Sequence, residues 1–270
     1  MNKIAVLLPV YQKDKLAYLD RAIQSIIAQT YKDFHIYIGV DGPIDDSVKR
    51  YLCSQDQDVI SIVWFDENRG LACVLNDLLE ICLKEGYEYI ARMDADDISV
   101  NDRFEKQTNF LSEYSEVDVV GGAIAEIGSN GQLRGKYVAY PLTHNDCRRF
   151  FRYRDPLAHP AVMFRKSYFE KVTSGYRNEY RKNQDTMLWF DGFMNGCIFA
   201  NLPDTVLHFR VNDDFYNRRR GWKRAKQMLR DRLKMNRALH YDLSANLFAI
   251  AMFCMTISPV WVKKLLYRIR

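Results

Sequence analysis

Residues 87–97 read Tyr-Glu-Tyr-Ile-Ala-Arg-Met-Asp-Ala-Asp-Asp. A mostly apolar run reaches Met93 and stops at a block of acids, Asp94-Ala95-Asp96-Asp97. A short run of this kind fits a strand buried on both faces of a parallel sheet. Three similar runs precede it, at residues 4–9, 34–40 and 59–65. Between them, Leu16, Leu19, Ile23, Ile26 and Ile27 fall at helical spacing. Residues 47–52 fit a short helix, and residues 71–83 a longer one that Gly86 stops. Strand and helix thus alternate four times, which predicts an α/β fold with a parallel sheet and right-handed connections. Ligands bind such sheets at the carboxyl ends of the strands. Three of those ends carry Pro9-Val10-Tyr11, Asp41-Gly42 and Asp94-Ala95-Asp96.

The second half is less regular. A helix is expected over residues 101–114. Strands are expected over 117–127 and 136–140, around a Ser129-Asn130-Gly131 turn. Residues 185–194 read as a helix and 205–211 as a last strand. A basic helix follows over 221–240. Residues 247–257 form an apolar run of 11, where a bilayer span needs ~20. Pro259 breaks that run, and residues 261–270 end as a short basic amphipathic stretch.

The chain has 270 residues, 48% hydrophobic and 27% charged, with a formal charge of +5. That composition excludes a disordered, collagen-like or polytopic membrane protein. The charge is split: residues 208–270 hold 15 of the 39 Lys+Arg and 4 of the 34 Asp+Glu, a balance of +11. The remaining 24 and 30 give residues 1–207 a balance of −6. A basic tail on an acidic body suits an anionic surface. Cys53, Cys73, Cys82, Cys147, Cys197 and Cys254 are scattered without a CxxC, so free thiols are expected rather than zinc or a disulfide framework. No signal peptide is legible, and a reducing cytosolic setting is expected.

Two carboxylates one residue apart at a strand end can face one crevice and suit a hard divalent cation shared with substrate phosphates. Asp97 adds a third charge, unfavourable unless a cation or hydrogen bonds offset it. The competing reading is a cap, Asp97 or Ser99, for the helix that follows. Asp41 suits a base or ribose, or only an Asp-Gly turn. Asn68-Arg69-Gly70-Leu71 opens a helix as a phosphate neighbour, or with Asn68 as a plain cap. Asp185 stands at a helix start, either as an N-cap or as a general base facing the crevice.

Taken in order, Pro-Val-Tyr, Gln29-Thr30-Tyr31, Asp41-Gly42, Asn68-Arg69-Gly70-Leu71 and Met93-Asp94-Ala95-Asp96-Asp97 closely resemble family-2 glycosyltransferases of the GT-A fold. The match is strongest to the small bacterial enzymes that build surface polysaccharides, and it covers roughly residues 3–212. The resemblance implies a GT-A domain over 1–212, with a nucleotide-sugar half (1–98) and an acceptor half (99–212). A basic amphipathic helical region follows over 213–270. It implies a UDP-sugar donor, with Pro9, Tyr11 and Asp41 at the uridine and Asp94 and Ala95 near the ribose and diphosphate. Arg69, Arg92 and Arg210 become diphosphate candidates, and Asp96 the ligand of Mn²⁺ or Mg²⁺. His159, Gly175, Tyr176, Gln184 and Trp189 become acceptor-binding candidates.

Gln184-Asp185 stands where the family usually has Glu-Asp, whose second acid is the inverting base. Asp185 keeps that base, while Gln184 removes one charge. Asn212 stands where many relatives have His. The Gln-x-x-Arg-Trp signature of processive synthases is absent, which favours transfer of one sugar per encounter. The tail suggests peripheral attachment to the anionic inner face of a cell membrane and a lipid-linked or oligosaccharide acceptor. The alternative for the 247–257 run is a helix packed on the body. The residues disfavour four rival readings. A nucleotidyltransferase lacks its Gly-rich loop after the first strand, and a nicotinamide enzyme lacks GxGxxG. An inactive membrane-surface module is opposed by Asp94, Asp96 and Asp185. Nucleic acid is disfavoured as a partner by the acidic body.

Overall fold

The computed structural model describes residues 4–211 and 222–258. The first half alternates as expected: β1 (Ile4–Tyr11), α1 (Leu16–Ile27), β2 (Phe34–Asp41), α2 (Asp46–Cys53), β3 (Ile60–Phe65), α3 (Leu71–Glu85) and β4 (Tyr89–Arg92). There follow β5 (Ile98–Ser99), α4 (Arg103–Glu113), β6 (Val119–Ile127), β7 (Leu133–Val138) and α5 (His144–Phe151). A 3-10 turn at His159–Ala161 leads to β8 (Met163–Arg165), α6 (Lys166–Lys171), α7 (Gln184–Met194) and β9 (Phe199–Arg210). α8 (Trp222–Ala238) and α9 (Leu243–Ile257) close the described chain. Asn212, Arg218 to Arg220 and the 261–270 stretch lie outside the described residues.

The strands form one sheet in the order β3-β2-β1-β4-β8-β6-β9-β5, with β7 paired to β6. β3, β2, β1 and β4 run parallel, and Tyr11 lies opposite Asp41 in the register. The carboxyl ends of β1, β2 and β4 therefore open on one edge, the ligand edge of an α/β sheet. β8 pairs antiparallel to both β4 and β6 and joins the two halves.

β1 shows why its sequence is a continuous apolar run. Ile4, Val6, Leu8 and Val10 enter a core cluster with Leu19, Ala22, Ile23 and Ile26 of α1. Ala5 and Leu7 enter a second cluster with Ala72, Val74, Leu75 and Leu78 of α3. Period-2 side chains with both faces covered leave no polar position. At Gly39 of β2 a Cβ would stand 2.4 Å from Val74 Cγ1, so α3 lies against bare backbone there.

β9 begins at Phe199, six residues before the expected 205. Its pairing with β6 shifts between Gly122–Leu202 and Ala123–Thr205. Pro203 falls in that irregularity, where a strand tolerates proline. α8 is part of the body, because its Met235, with Leu239 just past its end, belongs to the same buried cluster as Trp189 and Phe199. α9 buries Ala245 and Ala249. It leaves Leu243, Leu247, Ile250 and Ile257 exposed at 71, 59, 46 and 42%. No described helix is long and apolar enough to cross a membrane. All six cysteines are free.

Candidate functional site

Asp41 ends β2 almost fully buried. Its Oδ1 accepts the Arg69 backbone N–H at 2.7 Å and its Oδ2 that of Gly70 at 3.0 Å. Asn68 Nδ2 donates to the Asp41 carbonyl at 3.2 Å. Asp41, not Asn68, therefore holds the entry to α3, whose N-cap position is Gly70 with φ 95°. Gly42, at φ +82°, brings its backbone so close to Asn68 that a Cβ would sit 2.6 Å from its nitrogen. The Arg69 side chain turns away to Asp77 and covers the Phe65 ring at 4.3 Å. Its guanidinium is thus spent within the protein rather than held free for a diphosphate.

Pro9 and Tyr11 are half-buried at the end of β1. The Tyr11 N–H donates to Asp14 Oδ2 at 2.8 Å. Sequence reading passed over Asp14. Burial pushes its pKa up to about 7, with the charges of Asp96 and Asp94 adding to the rise. A carboxylate five residues beyond a proline carries no motif, and only the fold brings it near the acids that follow β4.

Those acids, Asp94, Asp96 and Asp97, present carboxylate oxygens that lie within 4.8 Å of one another. Ala95 between them is buried in the core, so only its backbone faces the crevice. Burial, then Asp94, raises the Asp96 pKa to about 6. Asp97 is wholly buried, and burial, then Asp94 and Asp96, push its pKa well up. Asp97 is not a helix cap: its Oδ1 accepts the Arg210 backbone N–H at 2.7 Å. Its Oδ2 is buried without a hydrogen-bond partner among the described atoms. Clustered hard oxygen donors with one orphaned buried atom suit a divalent cation. The residues present fit Mn²⁺ or Mg²⁺.

Two arginines frame the acids. Arg92, 2% exposed, donates from Nη2 to Asp94 Oδ1 at 2.5 Å. Its burial keeps it beneath Asp94 rather than in contact with a ligand. Arg210 donates from Nε to the Asp96 carbonyl and from Nη1 to the Gly128 carbonyl, each at 2.7 Å. It covers the Tyr18 ring at 4.2 Å, and its Nη2 is left without a partner among the described atoms. Below them, buried Arg103 donates to the carbonyls of Arg92, Pro160 and Val162 at 2.9–3.1 Å. Burial, then Arg92, brings its pKa down to about 9. Nothing in the sequence of α4 marks this arginine as a tie under the site.

On the acceptor side, His159 Nε2 meets the Tyr176 hydroxyl at 2.9 Å, with both residues buried. Burial, then Arg92, pushes the His159 pKa well down, so the ring is neutral. Gly175 takes φ +56°, and a Cβ there would stand 2.5 Å from Asn76 Oδ1. Asn76 of α3 clamps the turn by accepting from the Tyr176 N–H at 2.8 Å and donating to its carbonyl at 2.7 Å. Trp189 is 0% exposed and stacks on Phe164. Trp189, Tyr176 and His159 thus form the floor under the acceptor half and do not line a surface. Gln184 Oε1 is buried without a partner among the described atoms.

Asp185 sits in the first turn of α7, one residue after Gln184 and two after the N-cap Asn183, which takes φ 62°. Asp185 is therefore not the cap. Its Oδ1 accepts the Thr186 N–H at 2.8 Å. Burial, then Asp155, raises its pKa to about 6, and Asp94 adds to the rise. The charge of Asp94 thus acts on Asp96 and, more weakly among its neighbours, on Asp185.

Comparison with known proteins fits this geometry. The profile of Glycosyl transferase family 2 matches residues 5–173. The amylovoran biosynthesis glycosyltransferase AmsE of Erwinia amylovora is 32% identical over 97% of both chains. A UDP-Gal:alpha-D-GlcNAc-diphosphoundecaprenol beta-1,3-galactosyltransferase of Escherichia coli is 30% identical over 83% of this chain and 79% of its own. Among solved structures, S. aureus TarS 1-349 in complex with UDP-GlcNAc superposes with a TM-score of 0.66 at 15% identity, over 93% of this chain and 71% of that one. The mannosyltransferase PcManGT from Pyrobaculum calidifontis, in complex with GDP-Man and Mn2+, gives 0.61 at 17% identity over 98% and 79%. These two likenesses show a GT-A fold.

Proposed function

The chain belongs to glycosyl transferase family 2, and on that premise we propose an inverting, metal-dependent transfer of one hexose or N-acetylhexosamine from a UDP-sugar. The acceptor is a sugar carried on a lipid diphosphate, and the pathway builds a bacterial O-antigen or capsule-type polysaccharide. Two relatives support this reading, one named for amylovoran biosynthesis and one for a diphosphoundecaprenol acceptor. The observation that supports it most is the cluster of Asp94, Asp96 and Asp97 with an unpartnered buried Asp97 Oδ2, together with an Asp185 whose pKa Asp94 helps to raise.

With a pKa of about 6, Asp185 is ionised at neutral pH and basic enough to accept a proton. It takes the proton of the acceptor hydroxyl as that oxygen attacks the anomeric carbon. The bond from that carbon to the diphosphate oxygen breaks, its electron pair leaves with UDP, and configuration inverts. Asp96, with Asp94 and Asp97 beside it, would hold Mn²⁺ or Mg²⁺, which supplies positive charge against the leaving diphosphate. Arg210, held by the carbonyls of Asp96 and Gly128, adds buried positive charge beside the acids. Pro9, Tyr11 and Asp41 order the uridine end.

The exposed apolar residues of α9 stand beside an α8 that exposes Lys226, Arg230, Lys234 and Arg237. That combination supports shallow attachment to an anionic inner leaflet, where a lipid-linked acceptor resides.

The deciding experiment is Asp185→Asn, assayed with a panel of UDP-sugars and a synthetic GlcNAc-diphosphate-lipid. Transfer falls about 10²–10⁴-fold, while calorimetric UDP-sugar binding is kept. Near-full transfer by the variant would remove Asp185 as the base.

A further inference from the structure

We infer that Arg232, on the C-terminal helix α8, is a positioning residue for transfer, which acts through Asp155 and Thr186 on Asp185. The inference rests on Asp185 being the base.

The contacts run without a gap. Arg232 Nη2 donates to Asp155 Oδ1 at 3.2 Å. Thr186 Oγ1 donates to Asp155 Oδ2 at 2.8 Å, and the Thr186 N–H donates to Asp185 Oδ1 at 2.8 Å. Arg232 is itself fixed: Nη1 donates to the Phe151 carbonyl at 2.7 Å, and the guanidinium lies 4.9 Å over the Phe151 ring. Its side chain is 19% exposed, so the pair with Asp155 is only partly open to solvent. Ion pairs in such settings keep more of their strength than surface pairs.

The charges explain why a tail residue matters to the chemistry. Among the described residues, Asp155 from the loop after α5 and Asp94 from the end of β4 act on Asp185, and Asp185 in turn acts on Tyr176 from the turn after α6. Asp155 is the strongest charge among them and opposes ionisation of Asp185. Arg232 offsets that charge and fixes the carboxylate that Thr186 leans on. Two other ties between the body and the α8–α9 region, Arg152 to Asp242 at 2.8 Å and Tyr180 to Asp231 at 3.0 Å, do not run through Asp155 or Thr186. They serve as controls for mere loosening of the tail.

The test reads Asp185 directly in the full chain. Carboxyl-labelled aspartate is followed by NMR against pH, with the Asp185 signal assigned by its loss in Asp185→Asn. Arg232→Gln moves the Asp185 midpoint to higher pH, because Asp155 is left uncompensated. Asp155→Asn moves it to lower pH, because the opposing charge is gone. Arg232→Lys keeps the midpoint near wild type, and so does Arg152→Gln. Transfer from the UDP-sugar panel to the GlcNAc-diphosphate-lipid follows: for a midpoint displaced upward from about 6 by half a pH unit, Arg232→Gln lowers kcat about twofold at pH 6 and about threefold at pH 5, with donor KM unchanged. Midpoints that stay put in both Arg232→Gln and Asp155→Asn, or that move the same way, overturn the inference. If Asp185→Asn keeps transfer, the base reading fails instead, whatever the titrations give.

Discussion

The Arg210 backbone N–H donates to Asp97 Oδ1 at 2.7 Å, while the Arg210 side chain donates from Nε to the carbonyl of neighbouring Asp96 at 2.7 Å. The last residue of β9 thus sets the shape of the loop that follows β4. Arg210→Ala takes a donor from the carbonyls of Asp96, Gly128 and Ser129, of which Gly128 keeps the Gly131 N–H, and removes a positive charge from among the acids. A loss of about 1–3 kcal/mol is expected for each unpaired buried group. Urea unfolding measures it, and an unchanged midpoint would show that the loop holds its shape without the guanidinium.

The pH profile follows from Asp185. Its pKa is raised to about 6, so below that pH the base carries a proton. Transfer, read as kcat/KM, rises with pH through about 6 and is full by neutrality. The sign for stability is opposite. A carboxyl whose folded pKa exceeds its unfolded value favours folding below the unfolded value, near 3.8, and loses that contribution as pH climbs through 6. Asp185→Asn therefore gains stability relative to wild type as pH rises from 4 to 7, by thermal melts across that range.

Metal binding is read without turnover. Mn²⁺ at about 100 times its Kd stabilises the fold by about 2.7 kcal/mol, seen as a rise in Tm at neutral pH. Asp96→Ala loses most of that rise and the metal-dependent part of transfer. An equal rise in the variant would place the ion elsewhere.

Leu247→Asp and Ile250→Asp put charge on the exposed side of α9. Flotation with anionic liposomes drops while Tm is held, since neither side chain is buried. A cut after residue 215 is the wrong instrument for this question, because it also strips Met235 and Leu239 from the core. Undiminished flotation of both variants would end the membrane reading.

The first half was legible because burial on both faces writes itself as uninterrupted apolar runs, and because a parallel strand must end where its ligand edge lies. Asp41, Asp94 and Asp96 could therefore be placed from residue order. The rest depends on partners far along the chain. β8 and β5 have three and two residues, too few for any period. α5 buries only Cys147 and Phe151 among charged neighbours. Asp97 looked like a local cap, yet its partner is 113 residues away. Trp189 sits one helical turn beyond Asp185, where the resemblance implied an acceptor contact. Its burial against Phe164 makes it core. Arg69 looked free beside a phosphate site until Asp77, two turns along α3, claimed it.

The seating of α8 in the second core has a consequence for recombining this enzyme with its relatives. A crossover placed after β9 would join a foreign tail to sockets cut for Met235 and Leu239, and would hand Asp155 a stranger in place of Arg232. α5, α7, α8 and α9 would therefore have to be moved together, and with them the face of β1 and β4 that enters the same cluster.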